Sequence, residues 1–226
     1  MNGSEAHRLG YGTEVPDRTK QVEAFDAIGA RYDEAFPHKE GQVAAVARLA
    51  AELPPGSRVL DVGIGTGLPT ARQLLDAGHS VVGIDLSTVM LELAERNVPE
   101  ATLLRRDLAG LSPTGPEGLG VFDGLTCFFT LLMLSRREIP SALRLFHRLL
   151  RPGGLFALAM VEGSLDHTEI PFLGHIIRVS GFLRDELRQV VCDAGFEIAG
   201  EAALSYSPAS SDTPPETQLF LNCRRA

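Results

Sequence analysis

The sequence predicts an α/β fold with a doubly wound, largely parallel sheet. Short β-branched runs alternate with helix-length segments, and these runs stop at Gly or just before Asp. No repeat and no Ser- or Gly-rich linker divides the 226 residues. Strands joined through helices imply right-handed crossovers, so helices cover both faces of the sheet.

The elements follow in order. Residues 58–62 (RVLDV) form a short β-branched run ending at glycine, which suits a buried strand. A helix over 69–77 offers Leu74 and Leu75 for packing and stops near Gly78. Residues 80–84 (SVVGI) form a second strand ending at Asp85, and Ser87 is placed to cap a helix carrying Met90, Leu91 and Leu93. A third strand, 101–105, precedes Asp107, and Gly and Pro mark 109–120 as a loop. After a fourth strand over 121–129, Ser135 and Glu138 have capping-box spacing before a helix with Ile139, Leu143, Leu145 and Leu149. Residues 151–154 (RPGG) read as a turn into a fifth strand, 155–161. A helix over 183–194 places Leu183, Leu187, Val190 and Val191 on one face, and strands 196–204 and 217–223 finish the chain.

Composition narrows the function. Hydrophobic residues make up 44% and charged residues 22%, enough to build a core. A formal net charge of −8 argues against a broad basic surface for nucleic acid. No apolar run reaches membrane-spanning length, and 1–20 has no apolar signal-peptide centre. Three widely spaced cysteines form neither a disulfide framework nor a zinc knuckle, so the expected home is the reducing cytoplasm and no metal is expected. Residues 1–20 are expected to be mobile, and 21–226 to form one domain.

The chemistry concentrates in 59–67 (VLDVGIGTG), where a strand ends at Asp61 and three alternate glycines turn the chain toward a helix. Glycine there permits positive φ and lets a ligand approach the backbone. In an open α/β sheet this carboxyl edge is where ligands bind. Asp85, ending the next strand, is placed to accept hydrogen bonds from a ribose diol. A dinucleotide site uses G-x-G-x-x-G, whereas here the pattern is G-x-G-x-G with Asp61 just before it. A carboxylate so near would repel a pyrophosphate and favour a cationic ligand.

With these motifs the sequence resembles the class I S-adenosylmethionine-dependent methyltransferases of the small stand-alone type. The resemblance runs from about Tyr32 to Cys223, with Ile64 where the family often has Cys. It implies S-adenosyl-L-methionine as cofactor and S-adenosyl-L-homocysteine as product. It also implies a Rossmann-like seven-stranded sheet, mostly parallel with the last strand antiparallel, in the order 3-2-1-4-5-7-6. Asp61, Gly63 and Gly65 belong to the family's first motif. Asp85, Leu86 and Met90 match the second, in which the acid binds ribose hydroxyls and apolar neighbours flank adenine. Asp107 and Leu108 match the third, which meets the adenine amino group. Phe128 stands where a strand-end residue lines the methionine arm, and Tyr32 stands where a Tyr in a Y-D context covers the cofactor. Each has a structural alternative: a strand-end or capping acid, a core Met, a packed helix Tyr, or a core Phe at Phe128 or Phe129.

The acceptor pocket is expected under two lids, residues 25–42 and 162–181. The first holds Tyr32, Phe36, His38 and Lys39, and the second Phe172, His175 and Arg178. His38 and His175 are candidate bases, either of which also reads as a surface histidine, and Arg178 suits a substrate carboxylate or a salt bridge. A base is required only when the acceptor's proton must leave early. Short, mixed lids suit a small-molecule acceptor such as a specialised metabolite, on a monomer or homodimer. Two other readings share the fold: a cofactor-binding protein without turnover, and a non-methylating enzyme that uses the sulfonium charge.

Overall fold

Alternation along each strand builds two apolar layers around one sheet. The computed structural model describes residues 18–207 and 215–226. In chain order the elements are α1 (Thr19–Ile28), α2 (Arg31–Ala35), α3 (Glu40–Glu52), β1 (Arg58–Val62), α4 (Thr70–Asp76), β2 (Ser80–Asp85) and α5 (Thr88–Asn97). There follow β3 (Thr102–Arg105), β4 (Phe122–Phe128), α6 (Ile139–Leu149) and β5 (Leu150–Val161). The chain ends with β6 (Leu165–Phe172), β7 (His175–Gly181), α7 (Arg184–Asp193), β8 (Phe196–Tyr206) and β9 (Glu216–Arg225). The segment expected to be mobile falls outside the described residues up to 17, and α1 begins at Thr19.

Seven strands form one sheet in the order β3-β2-β1-β4-β5-β9-β8. β1 to β5 pair in parallel, and β9 runs antiparallel to both β5 and β8. This is the expected order, and the last strand is the reversed one. On β5, Leu155, Ala157 and Ala159 join the layer containing Val46 and Leu49 of α3 and Leu74 of α4. Their neighbours Phe156, Leu158 and Met160 join the opposite layer, with Leu143 and Phe146 of α6 and Val191 of α7. Burial on both faces explains the near-continuous apolar runs.

Several local expectations change. Residues 151–154 are not a separate turn: β5 already pairs at Leu150 with Phe122, and its register shifts before Leu155 meets Gly124. Gly153, at φ +74°, accommodates that irregularity. Leu183 does not share the buried face of α7. It precedes the helix, half exposed, while its N–H donates to Glu186 at 3.1 Å. Residues 162–181 contain the two-stranded hairpin β6–β7, separate from the main sheet. Ser87 caps α5 as expected, its Oγ accepting from Met90 N–H at 3.0 Å.

Candidate active site

The carboxyl ends of the parallel strands open into a cavity of about 570 Å³. The 59–67 loop forms its floor because the N–H groups of Gly63 and Ile64 both donate to Ile84 O, at 2.8 and 2.9 Å. Gly63, Gly65 and Gly67 all have positive φ. A Cβ on Gly63 would lie 2.0 Å from Thr130 Oγ1, and one on Gly67 would lie 2.6 Å from a Val98 methyl. At Gly65 a Cβ would meet nothing within 4 Å. Two glycines therefore serve close packing, while the middle one leaves backbone open at the cavity.

Two carboxylates stand over this floor. Asp61 is buried on β1 beside its register partner Thr126 on β4, whose hydroxyl donates to Oδ1 at 2.7 Å. Asp61 Oδ2 is buried without a hydrogen-bond partner. Burial pushes this carboxyl up to about 7; the Thr126 hydrogen bond opposes the rise and the Asp85 charge adds to it. Asp85 accepts from Ser87 N–H at 2.9 Å and Gly65 N–H at 3.0 Å, one bond to each oxygen. Burial raises its carboxyl too, against those backbone donors.

Of the residues singled out in the sequence, Tyr32, His38, Asp61, Gly63, Gly65, Asp85, Leu86, Met90, Asp107, Leu108 and Phe128 all line this one cavity. His175 does not. It stands at the tip of the β6–β7 hairpin, opposite Phe172 across the Leu173–Gly174 turn. Arg178 also lies outside the lining; its guanidinium pairs with Glu169 at 2.9 Å across the hairpin, the salt-bridge alternative. Phe128 and Phe129 do not divide into one ligand-facing and one core ring. Phe129 turns to φ +58° at the strand end, and both residues reach the cavity. Asp107 Oδ1 accepts from Ala109 N–H at 2.8 Å, and Oδ2 pairs with Arg18 Nε at 3.1 Å.

The lids close over the floor through aromatic contacts. Tyr32 packs on Phe36 at 5.1 Å between centroids, Phe36 stacks on Phe172 at 5.7 Å, and Phe25 meets Phe172 at 6.1 Å. Tyr206, Glu216 and Gln218 also line the cavity and were missed in the sequence. They come from β8 and β9, which β5–β9 pairing carries to the carboxyl edge. The one local sign was a glutamine opening the buried run Leu219–Leu221. Among the described residues, no group of three or more His, Cys, Asp or Glu side chains is arranged to hold a metal ion.

A family model for a methyltransferase domain matches residues 59–154. An uncharacterised methyltransferase of a Synechocystis species is 38% identical over 104 residues, 46% of this chain and 47% of the relative. A ubiquinone biosynthesis O-methyltransferase of Methylococcus capsulatus is 30% identical over 183 residues, covering 74% of each chain. The chain belongs to the class I S-adenosylmethionine-dependent methyltransferases. A 1,6-didemethyltoxoflavin-N1-methyltransferase of Burkholderia thailandensis shares the fold of this methyltransferase chain, with TM-score 0.67 and 21% identity over 94% of this chain and 93% of that one. The chain spans about half the length of the first curated relatives it matches. The site fits the family's cofactor: an unpartnered buried carboxylate oxygen is available to a cation, and the Gly65 backbone is open beside a second carboxylate.

Proposed function

We propose that this protein moves a methyl group from S-adenosyl-L-methionine to a small, largely apolar acceptor, releasing S-adenosyl-L-homocysteine. The unsatisfied Asp61 Oδ2, buried beside the glycine loop, carries this reading. A buried acceptor without a donor is costly, and a ligand ammonium removes that cost. When bound, the cofactor supplies an electrophilic methyl on a good leaving group. The protein's part is then to orient, desolvate and exclude water.

In this reading Asp61 holds the amino end of the cofactor against Gly63 and Gly65. Asp85 keeps one backbone donor on each oxygen and uses the remaining lone pairs for ribose hydroxyls. Leu86, Met90 and Leu108 flank the adenine, with Asp107 at its amino edge, and Phe128 lines the methionine arm. Tyr32 forms the cover between cofactor and acceptor. The acceptor lies under residues 25–42 and the hairpin, where Leu132, Met133, Ile170, Phe172, Ile177 and Val179 make the walls apolar. His38 stands at the mouth with its side chain 73% exposed beside Glu40, so we assign it no proton transfer. We read the protein as a cytoplasmic enzyme, monomeric or homodimeric, without a nucleic-acid or membrane partner. The net charge of −8 and three free cysteines support this, and no described helix is long and apolar enough to cross a membrane.

The test is calorimetry with S-adenosylhomocysteine, followed by mass spectrometry of reactions with labelled S-adenosylmethionine. Micromolar binding is expected, on the order of −8 kcal/mol. Asp85→Ala should weaken it by roughly 1.5–3 kcal/mol through loss of hydrogen bonds to a charged group. Absence of binding to the unmodified protein refutes the proposal, while binding without any methylated product favours the reading without turnover.

A further inference from the structure

Glu216 opens β9 at the far side of the cavity from the glycine loop. Its register partner is Tyr206 on β8, and Gln218 two residues on pairs with Val161 of β5. Cross-strand partners and i, i+2 residues share a face, so Glu216, Tyr206 and Gln218 converge on the same side, and all three line the cavity. Gln218 Nε2 donates to Glu216 Oε1 at 2.8 Å, which fixes the carboxylate. Tyr32 lines the same cavity and lies near enough to Glu216 and Asp85 to feel both charges.

The charges of the cavity are unevenly committed. Its lysine and arginines are already paired: Arg18 with Asp107 and Glu138, Lys39 with Asp33, and Arg106 with Glu117. Among the described residues, Asp61, Asp85 and Glu216 form no ion pair. Asp61 and Asp85 belong to the cofactor end, which leaves Glu216 as the uncommitted carboxylate facing the acceptor. Around it Phe36 stacks against Tyr206 at 5.7 Å and 19°, and against Phe172 at 5.7 Å and 25°. With Tyr32 these rings make this wall of the cavity aromatic, so an aromatic body gains offset-stacked or edge-to-face contacts there. Burial raises the Glu216 carboxyl above its ordinary range, so this base is partly desolvated.

We propose that Glu216 receives the hydroxyl group of an uncharged aromatic acceptor and takes its proton during methyl transfer. This rests on the methyl-transfer reading above and adds the substrate class and the base. The acceptor oxygen forms a bond to the methyl carbon while the sulfur–carbon bond breaks, its electron pair staying on sulfur. The hydroxyl proton passes to a Glu216 carboxylate oxygen and is later lost to solvent. A neutral amine has a free lone pair and needs no base before attack, whereas a hydroxyl is a weak nucleophile until its proton is shared. An anionic acceptor meets the Glu216 carboxylate and is repelled.

The test uses the whole protein saturated with S-adenosylhomocysteine, titrated with 2-naphthol and with 2-naphthoate. The unmodified protein should bind naphthol roughly tenfold or more tightly than naphthoate, as like-charge juxtaposition requires. Glu216→Gln should bring that preference below about threefold by removing the repelling charge, with S-adenosylhomocysteine affinity unchanged. With labelled S-adenosylmethionine, the unmodified protein should form 2-methoxynaphthalene. Glu216→Gln should slow this by roughly 100-fold or more, as loss of a general base does, and Glu216→Asp should restore part of the rate. Lack of naphthol binding, equal or tighter binding of naphthoate, an unchanged preference in Glu216→Gln, or naphthol bound but not methylated each overturns the proposal. Failure of S-adenosylhomocysteine to bind overturns the cofactor reading instead, and shows itself before either naphthalene is added.

Discussion

At Asp61 one oxygen is held by Thr126 and the other has no partner, in a site that pushes the carboxyl up to about 7. Below that pH the carboxyl is mostly protonated in the free protein, and an ammonium arriving beside it favours the carboxylate. Binding of S-adenosylhomocysteine near pH 6 should therefore release protons. Calorimetry in buffers of different ionisation enthalpy should show the release at pH 6 and its loss near pH 9. Asp61→Asn should shrink the release to whatever Asp85 contributes; an unchanged release would remove Asp61 from the ammonium site. The glycines make a second contrast. Gly63→Ala puts a methyl against Thr130 Oγ1, which already donates to Val62 O at 3.0 Å, at a positive φ. That should cost roughly 3 kcal/mol from strain and overpacking. Gly65→Ala meets open space, so only its backbone conformation is penalised, by about 1–2 kcal/mol. Urea denaturation of the two variants measures the difference directly.

The β6–β7 hairpin shows what an element adds beyond its residues. It packs against α1, and Gln21 donates to Arg178 O at 2.7 Å. Phe172 fills the junction between Phe25, Tyr32 and Phe36. Phe172→Ala should destabilise the protein by roughly 3 kcal/mol, typical of a large-to-small change at a packed site. It should also weaken binding of a planar acceptor while the affinity for S-adenosylhomocysteine holds, since the glycine loop, Asp61 and Asp85 lie on other elements. Equal loss of both affinities would show that the hairpin supports the cofactor site as well. Legibility divides along the same line. Asp61, the glycines and Asp85 could be read because a strand end and the turn after it are contiguous in sequence. Tyr206 and Glu216 could not, because antiparallel pairing brings them to the site from the opposite end of the chain. His175 was misplaced for a related reason: residue type and segment were visible, but not the two-residue turn that leaves it at the hairpin tip.

Across the whole molecule, burial of Asp61 and Asp85 links stability to pH and to ligand. Both carboxyls are raised above their unfolded values by burial, so the native state holds more protons than the unfolded chain above about pH 4, for Asp61 up to about pH 7. The sign follows: the Asp61 contribution to stability is complete below the unfolded value near pH 4 and is lost as pH rises through about 7, and Asp85 acts in the same direction. Helix layers and the strand ends at the glycine loop and at Asp85 were legible from alternation and punctuation, and the sheet order followed from the family resemblance; this cost was not legible, since it depends on how completely β1 and β2 are covered. The cofactor acts in the opposite direction, because its ammonium and hydroxyls compensate the buried charge that ionisation creates. At 100 times its dissociation constant a ligand stabilises by about 2.7 kcal/mol. In a chain of this size that corresponds to roughly 5–11 °C in Tm. At one fixed concentration of S-adenosylhomocysteine, the shift in Tm should be larger at pH 8 than at pH 5.5, where binding must first displace protons. Thermal scans of the free and saturated protein at the two pH values decide it, and equal shifts would mean that neither carboxylate changes protonation on binding.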